Sequence, residues 1–287
     1  VWNAQHQLMA NGGGLLGNLG FFQQAQAIKQ PGNSNIYYIF TLGSDLRYSV
    51  VDMSLAAGMG SVTAKNIVLY GQAAEKLTAV RHCNGVDTWL ISHEVNSNNF
   101  LSFILSAVGV NPNPVVSSIG PVLTLSVNPG YANGQLKASS DGRRLGVRFN
   151  ISGTDLYDFN NATGTIANRI ILEASGIGAS CEFSADGSMF YSDGDLMGNL
   201  IIKQWSLCSA SDSIIIASND SVGSTPFGFS GFQLGTDGKI YVANGTSYIG
   251  QINNPEQSGL GCSYISSGHS IGANFCHGLP GFESHLL

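Results

Sequence analysis

Three stretches of the chain repeat one hairpin pattern. Each joins a short strand-like segment to a second apolar segment through an Asp-Gly turn, at Asp141-Gly142, Asp186-Gly187 and Asp237-Gly238. Asp-Gly suits a tight hairpin because glycine takes a positive φ at no steric cost and aspartate tolerates it. The turns lie 45 and then 51 residues apart. Hairpins that recur at this period are typical of β-propeller blades, so the sequence predicts an all-β propeller.

Strand-like segments extend the repeat toward the N-terminus. One further unit is predicted from residues 36–42, 46–52 and 67–70, and another from residues 75–81, 88–92 and 100–105. Residues 75–81 have helical propensity, but the Asn84-Gly85 turn that follows favours a strand. Later units are predicted at about 130–175, 178–222 and 228–266. We therefore expect five whole units in a single domain that spans residues 1–287.

Both ends of the chain carry shorter, partial units. Residues 1–8 are interpreted as the end of a strand, and residues 276–287 as another short strand. Because propellers commonly close by building one blade from both termini, we expect the two end segments to lie side by side. The chain begins at Val1 without a methionine, so we interpret it as a fragment of a longer polypeptide.

Charge is scarce along the whole sequence. Charged residues make up 10% of the chain, against roughly 25% in typical soluble domains. This composition favours an exported protein or a subunit of an assembly. The net charge is −6 and no basic cluster exceeds Arg143-Arg144, so we expect neither nucleic acid nor an anionic membrane as a partner. No apolar run approaches the ~18 residues that span a bilayer, which predicts no transmembrane segment.

Six separate stretches resemble the β-propeller modules of surface proteins that gliding bacteria export by the type IX route, a family that often carries PKD modules and a C-terminal sorting domain. The first three are Val1-Trp-Asn-Ala-Gln-His-Gln-Leu-Met-Ala-Asn-Gly12, Leu46-Arg-Tyr-Ser-Val-Val-Asp-Met-Ser-Leu55 and Glu75-Lys-Leu-Thr-Ala-Val-Arg-His-Cys-Asn-Gly85. The others are Leu234-Gly-Thr-Asp-Gly-Lys-Ile-Tyr-Val-Ala243, Ile252-Asn-Asn-Pro255 and Gly278-Leu-Pro-Gly-Phe282. They follow the family's order along nearly the whole chain.

The resemblance implies a seven-bladed propeller, secretion, and a role outside the cell or at its outer surface. The family's first strands would precede Val1, so the first blade is expected to be incomplete. Gly281 also departs from the pattern, because the family usually has asparagine after the closing Leu-Pro. The resemblance implies no catalytic residue and no cofactor.

The five cysteines are Cys83, Cys181, Cys208, Cys262 and Cys276. An odd number leaves at least one thiol free or paired with another chain. Cys262 and Cys276 are 14 residues apart across a glycine-rich loop and form the best candidate disulfide. Free buried thiols are an equally open alternative, since free cysteine is among the most buried residue types.

Two motifs near the C-terminus suggest chemistry but lack its structural context. Gly268-His-Ser-Ile-Gly272 fits a nucleophile elbow around Ser270, yet residues 273–280 are broken by glycine and proline where the elbow needs a helix. Cys262, His269, Cys276 and His277 suggest zinc, but structural zinc sites present ligand pairs two to four residues apart. We therefore predict neither a catalytic nor a metal site from these residues.

Two further groupings carry weak signals. His82-Cys83 suggests a nucleophile pair, but adjacent residues on a strand point to opposite faces. Asp193-Gly-Asp195 with Asn199 offers oxygen ligands for Ca²⁺ without the acidic spacing of a calcium loop, so a hairpin turn is favoured.

These observations predict a function without catalysis. We expect a secreted or cell-surface module for recognition, adhesion or structure, whose partners are other protein modules or surface glycans. One alternative is a self-assembling subunit of an extracellular filament or of the secretion machinery. A weaker alternative is a glycan-acting hydrolase or lyase, which as a hydrolase would need paired carboxylates at the channel mouth.

Overall fold

A computed structural model of the chain describes residues 1–18, 23, 25–124, 133–196, 199–225, 231–272, 279 and 281, without the side chains of Asp195, Leu196 and Asn199. These residues form five antiparallel sheets arranged as the blades of a β-propeller. The first strands of successive sheets contact one another around the axis, and the last strand of each sheet lies outermost.

The first two blades occupy residues 25–118. Blade 1 contains β1 (Ala25–Lys29), β2 (Ile36–Leu42), β3 (Asp45–Asp52) and β4 (Ser61–Gly71). Blade 2 contains β5 (Ala73–Arg81), β6 (Thr88–Glu94), β7 (Asn99–Ser106), β8 (Gly109–Val110) and β9 (Val115–Ser118). Both β8 and β9 pair with β7, so the outermost strand of blade 2 is split in two.

The remaining three blades carry the Asp-Gly hairpins. Blade 3 contains β10 (Leu136–Ala138), β11 (Arg144–Phe149), β12 (Gly153–Asn160) and β13 (Thr165–Glu173). Blade 4 contains β14 (Cys181–Phe183), β15 (Met189–Leu196), β16 (Asn199–Ser206) and β17 (Asp220–Thr225). Blade 5 contains β18 (Gly231–Leu234), β19 (Ile240–Ala243), β20 (Tyr248–Ile252) and β21 (Tyr264–Ser270).

Helical structure is confined to connections in the described residues. Helix α1 (Asp212–Ala217) links β16 to β17 and buries Ile215. Short 3₁₀ helices occur at Ala56–Gly58 between β3 and β4, and at Gly259–Cys262 between β20 and β21. None of the helices in this part of the chain has the length and hydropathy to cross a membrane.

The Asp-Gly turns lie between the first and second strands of blades 3, 4 and 5. Gly142, Gly187 and Gly238 all have positive φ, between +66° and +79°. Asp141 accepts hydrogen bonds from Ser139 Oγ at 2.6 Å and from the Arg143 N–H at 3.0 Å, and Asp186 does the same with its neighbours. The third hairpin is one residue shorter, because Leu234 pairs with Ile240 whereas Phe183 pairs with Phe190.

Four separate apolar clusters join the blades in sequence. They link blade 1 to 2, 2 to 3, 3 to 4 and 4 to 5. A fifth cluster packs Met9 of the N-terminal segment onto Val51 and Val62 of blade 1. Among the described residues no apolar cluster joins blade 5 to blade 1. Each interblade cluster buries the alternate side chains of two facing sheets, the arrangement that drives sheet packing.

The propeller has five blades in the described residues, so the expectation of seven is wrong. The prediction of five whole units is confirmed. The blades take up the chain from Ala25 to Ser270, which leaves only short segments at the two ends. The resemblance implied the number of blades that is typical of the family. The spacing of the hairpins, in contrast, depends on the blades that this chain itself forms.

The N-terminal segment differs from the sequence prediction, whereas the strand predicted at residues 276–287 lies almost wholly outside the described residues. Residues 1–8 form no strand: Trp2 and Leu8 make one isolated bridge, and the Val1 ammonium group donates to Gly12 O at 2.6 Å. Ala10 bridges to Ser61 of the outermost strand of blade 1, whereas Gly281 bridges to Gln26 of its innermost strand. The described parts of the two ends therefore lie at opposite edges of one blade rather than side by side.

Most strand predictions for the first two blades are confirmed. The segment 75–81 lies in β5, so the Asn84-Gly85 turn outweighed its helical propensity. The strand that the sequence analysis missed is β1, whose segment Ala-Gln-Ala-Ile-Lys has one β-branched residue in five. Its burial alternates, and Ile28 is completely buried against blade 2.

Candidate functional site

Polar side chains converge on the propeller axis from the innermost strands. Lys137 of β10, Glu182 of β14 and Gln233 of β18 each occupy the middle of a buried first strand, and each is less than 8% exposed. Lys137 Nζ lies 2.8 Å from Glu182 Oε2 and donates to Gln233 Oε1 at 2.8 Å. The Leu234 N–H also donates to Glu182 Oε2, at 3.0 Å. We call Gln23, Gln135, Lys137, Glu182 and Gln233 the axial cluster.

Two glutamines of the axial cluster replace missing strand partners. The amide group of Gln23 accepts from the Leu136 N–H and donates to the Leu136 carbonyl, both at 2.8 Å. Gln135 makes the same paired contact with Phe232 at 3.3 Å and also accepts from the Cys181 N–H at 3.2 Å. These side chains therefore hydrogen-bond backbone groups on the inner edges of β10, β14 and β18 that have no strand partner there.

A second buried group lies in blade 2 near the start of β5. Lys76 is fully buried; its Nζ donates to Gly134 O at 2.7 Å and lies 5.6 Å from the centre of the Phe149 ring. Burial lowers the pKa of Lys76 to about 7, against the opposing effect of Glu75. Burial also lowers the pKa of His93 to about 4, so His93 is neutral at pH 7. A lysine that titrates near neutrality can act as a base or nucleophile when a substrate reaches it.

Arg148 of β11 forms the third polar group, between blades 3 and 4. It is completely buried, and its Nη1 donates to Thr154 Oγ1 at 2.7 Å and lies 3.2 Å from Glu173 Oε2. Its Nη2 donates to Gly176 O at 3.0 Å, and its Nε lies 3.8 Å from Asp193 Oδ1 of blade 4. A buried arginine with opposing carboxylates on two sheets fixes how those sheets sit together.

One of the calcium candidates, Asp193, has a structural role. Asp193 and Asp195 lie within β15 rather than in the favoured hairpin turn. Asp193 is buried and its Oδ1 accepts from the Ala179 and Ser180 N–H groups at 2.7 and 2.8 Å. The side chains of Asp195 and Asn199 lie outside the described part of the structure. Asp193 therefore holds the loop that leads into β14.

The structure describes two of the four zinc candidates. Cys262 is buried and His269 is exposed on β21, while Cys276 and His277 lie outside the described residues. Within the ranges given above, no group of three His, Cys, Asp or Glu side chains is placed to hold a metal ion. The Cys262–Cys276 disulfide stays a prediction.

His82 and Cys83 contact each other, which corrects the geometric argument made from sequence. Strand β5 ends at Arg81, so both residues lie in the following turn and need not point to opposite faces. Cys83 Sγ lies 3.7 Å from His82 Nδ1, but that nitrogen already accepts from the Asn84 N–H at 3.0 Å. The His82 ring stacks on Trp89 at 5.6 Å, so this histidine is part of the packing at the turn.

Ser270 is the last residue of β21 and is exposed. Its Oγ accepts from the Gly272 N–H at 3.4 Å. The segment that the elbow motif would require to be helical falls mostly outside the described residues, so this prediction stays as it was made.

Sequence reasoning missed the axial cluster and Arg148. The repeats did contain a signal, because the middle residue of each first strand is polar: Lys137, Glu182 and Gln233. A polar residue at the same place in three buried strands indicates side chains that meet on the axis. Arg148 and Asp193 gave no such signal, since their contact joins two different blades.

No protein-family model matches this sequence, and no curated protein is similar to it. Solved structures are similar in fold. A Lactobacillus plantarum protein is 14% identical with a TM-score of 0.51, over 83% of this chain and 69% of that one. The Pseudomonas aeruginosa periplasmic gluconolactonase is 12% identical with a TM-score of 0.50, over 80% of this chain and 67% of that one.

A Kuenenia stuttgartiensis hydrazine synthase is also similar, at 16% identity and a TM-score of 0.46. The match covers 80% of this chain, which spans only 57% of the synthase chain. Similarity at these identities concerns the fold alone.

Proposed function

We propose that this chain is a secreted or cell-surface β-propeller module that recognises or organises other molecules without catalysis. The observation that carries the proposal is the filled axis. Propellers enclose a central channel, and ligand sites are concave with a few convergent polar groups. Here Lys137, Glu182 and Gln233 are buried, and Lys137 hydrogen-bonds to both of the others. Their polar groups are therefore already paired within the fold and are not presented to a ligand.

The place of the module outside the cell is part of the same proposal. Its support is the scarcity of charge and the six stretches that resemble propeller modules of type IX surface proteins. The chemistry left for partners is neutral and hydroxyl- or amide-rich, which suits surface glycans and other protein modules. Expression of the chain with a tag in a gliding bacterium, followed by protease shaving of intact cells, tests the location.

Binding and turnover can be measured on the same purified chain. A panel of bacterial and plant polysaccharides is screened by immobilised binding, and each sample is then analysed for reducing ends and unsaturated products. Saturable binding without product supports the proposal. Turnover of any polysaccharide by the pure chain contradicts its non-catalytic part.

A second candidate is a hydrolase, and one observation favours it. The pKa of the buried Lys76 is lowered to about 7, and perturbed pKa values concentrate at functional sites. The similar gluconolactonase suggests glucono-δ-lactone as a test substrate. Lactone opening faster than the spontaneous rate, and loss of that acceleration in Lys76→Met, would favour the hydrolase. A wild type that does not accelerate lactone opening would exclude this candidate.

A third candidate is a self-assembling subunit of an extracellular structure. It is favoured by the scarcity of charge in the sequence and by the outermost strand of blade 5, where Ile265 is 45% exposed. Size in solution separates it from the first proposal, which a monomer satisfies.

A further inference from the structure

Asparagine followed by glycine is a chemically reactive pair. The backbone nitrogen of the glycine can attack the side-chain amide carbon of the asparagine, because glycine has no Cβ atom to shield that nitrogen. The chain contains four such pairs, and all four lie within the described residues: Asn11-Gly12, Asn84-Gly85, Asn133-Gly134 and Asn244-Gly245. Their surroundings decide which of them can react in the folded protein.

Burial shields three of the four pairs. Gly12 and Gly134 are buried, and Asn244 is 1% exposed. A Cβ atom added to either of these glycines would collide with a backbone oxygen from another part of the chain, so both nitrogens lie in crowded surroundings. Asn84 is exposed and Gly85 is half-buried. Asn84-Gly85 is therefore the one pair in which neither residue is buried.

The Asn84 side chain is held in one orientation by the turn between β5 and β6. Its Oδ1 accepts hydrogen bonds from the N–H groups of Val86 at 2.9 Å and Asp87 at 3.0 Å. Its Nδ2 donates to Asp87 Oδ2 at 2.8 Å. Two backbone N–H groups on one carbonyl oxygen form an oxyanion hole, which stabilises the negative charge that develops on that oxygen when the carbonyl carbon is attacked.

Gly85 supplies an unshielded nitrogen beside this amide. It has a φ of +71°, and apart from its chain neighbours the atom nearest to an added Cβ would be Arg81 Nη2, at 4.0 Å. The Gly85 N–H donates to His82 O at 2.9 Å, so this bond has to open before the nitrogen can react. Exposed turns open locally at little cost and without unfolding of the sheet.

We propose that Asn84 is a site of spontaneous deamidation in the folded protein, through a cyclic imide formed with Gly85. Hydroxide takes the proton of the Gly85 N–H, and the nitrogen then bonds to Asn84 Cγ. The N–H groups of Val86 and Asp87 receive the negative charge on Oδ1. The Cγ–Nδ2 bond breaks, and Nδ2 leaves as ammonia with a proton from water, which restores the hydroxide. Water opens the imide at either carbonyl carbon and leaves aspartate or isoaspartate at position 84.

The change should loosen the contact that this turn makes with blade 3. The Cys83 N–H and Trp89 Nε1 both donate to Asn161 O, at 3.2 and 2.9 Å. Aspartate at position 84 places a carboxylate where Nδ2 now donates to Asp87, and the two like charges repel. Isoaspartate adds one carbon atom to the backbone of the turn. This inference does not depend on the proposed function.

Peptide mapping by mass spectrometry tests the proposal on the native 287-residue chain during incubation at mildly alkaline pH. Deamidation raises the mass of the peptide that contains the residue. We expect Asn84 to convert about tenfold faster than the asparagine of any other pair in the native chain. In urea, where all four pairs are exposed, the four rates should converge. Another pair that converts faster than Asn84 in the native chain, or a native Asn84 that converts more slowly than the unfolded one, overturns the proposal.

Val86→Pro tests the oxyanion hole, because it removes one of the two N–H donors and leaves Gly85 in place. Val86 is 59% exposed, so Val86→Ala is a matched control that keeps the N–H group. Native Val86→Pro should deamidate about tenfold more slowly than Val86→Ala, and the difference should disappear in urea. Equal native rates overturn the role of the turn. If circular dichroism shows that Val86→Pro is misfolded, the comparison of native and unfolded wild type decides alone.

Thermal melting of Asn84→Asp measures the consequence for the fold. This variant carries one product of the reaction in every molecule, and we expect it to melt at a lower temperature than the wild type. An equal melting temperature would contradict the loosened contact with blade 3.

Discussion

The Nζ atom of Lys137 lies 2.8 Å from Oε2 of Glu182, and this ion pair joins blade 3 to blade 4 on the propeller axis. Both side chains are buried and make further hydrogen bonds to blade 5. Burying an ion pair costs desolvation, which only good geometry and extra hydrogen bonds repay. The pair therefore acts mainly by fixing how three blades meet.

Breaking this pair should destabilise the fold strongly. Lys137→Met leaves the Glu182 carboxylate buried without its cation, and we expect the free energy of unfolding to fall by about 3–5 kcal/mol. Urea unfolding followed by tryptophan fluorescence measures it. Lys239→Met is the control: its Nζ is 4.0 Å from Asp237 Oδ2 at an exposed position, so the change should stay below about 1 kcal/mol. Equal effects of both variants would show that the axial pair is not buried.

His93 should make the fold sensitive to acid. Burial lowers the pKa of His93 to about 4 from an ordinary value of 6.5, so the unfolded chain binds this proton at a higher pH than the folded one. The free energy of unfolding should therefore fall as the pH drops from about 6.5 to about 4. His93→Gln should flatten the profile in that window, while His269→Gln on the exposed part of β21 should leave it unchanged. A slope identical in His93→Gln and the wild type would contradict the buried, neutral histidine.

Gly146 allows blades 3 and 4 to approach each other. A Cβ atom at this position would collide with the buried ring of Phe190 on blade 4. We expect Gly146→Ala to cost about 1–3 kcal/mol of stability, because a packed core cannot take up the added methyl group without strain. At Gly13 the nearest atom, Leu8 Cδ2, would lie 3.7 Å from an added methyl carbon, so Gly13→Ala should change stability by less than about 0.5 kcal/mol. Thermal melting of both variants makes the comparison.

Burial should decide which cysteine thiols react with an alkylating reagent in the native protein. Cys83 and Cys208 are exposed, whereas Cys181 and Cys262 are buried. Burial raises the pKa of Cys181 to about 12 and also raises that of Cys262, which removes the reactive thiolate. Iodoacetamide should label the first two in the native protein and the last two only after unfolding. Mass spectrometry without reductant also reports whether Cys262 and Cys276 are joined.

The blades of this protein could be predicted from the sequence because the turns that define them depend only on neighbouring residues. Asp141-Gly142 and its two counterparts require only neighbouring residues to specify a hairpin, and their spacing then predicts the blades. The shorter hairpin before Ile240 could not be predicted, because the same Asp-Gly turn occurs there although the strand register differs by one residue. Strand β1 was missed because its pairing with β2, not its own composition, makes it a strand.

The axial contacts were less accessible because they join residues far apart in sequence. Gln23 reaches Leu136 across 113 positions, and Gln135 reaches Phe232 across 97. Neither glutamine differs in sequence from one on a solvated surface. Only the closure of the blades around one axis shows that each amide replaces a strand partner.

Amide hydrogen exchange of the innermost strands tests the filled axis most directly. The N–H groups of Leu136, Phe232 and Leu234 donate to the side chains of Gln23, Gln135 and Glu182 rather than to a neighbouring strand. If these side chains close the axis, the three amides should exchange only when the whole propeller unfolds, with protection equal to the global stability. Fast exchange of these amides in the otherwise protected fold would mean that the axis is an open, solvated channel and would contradict the account.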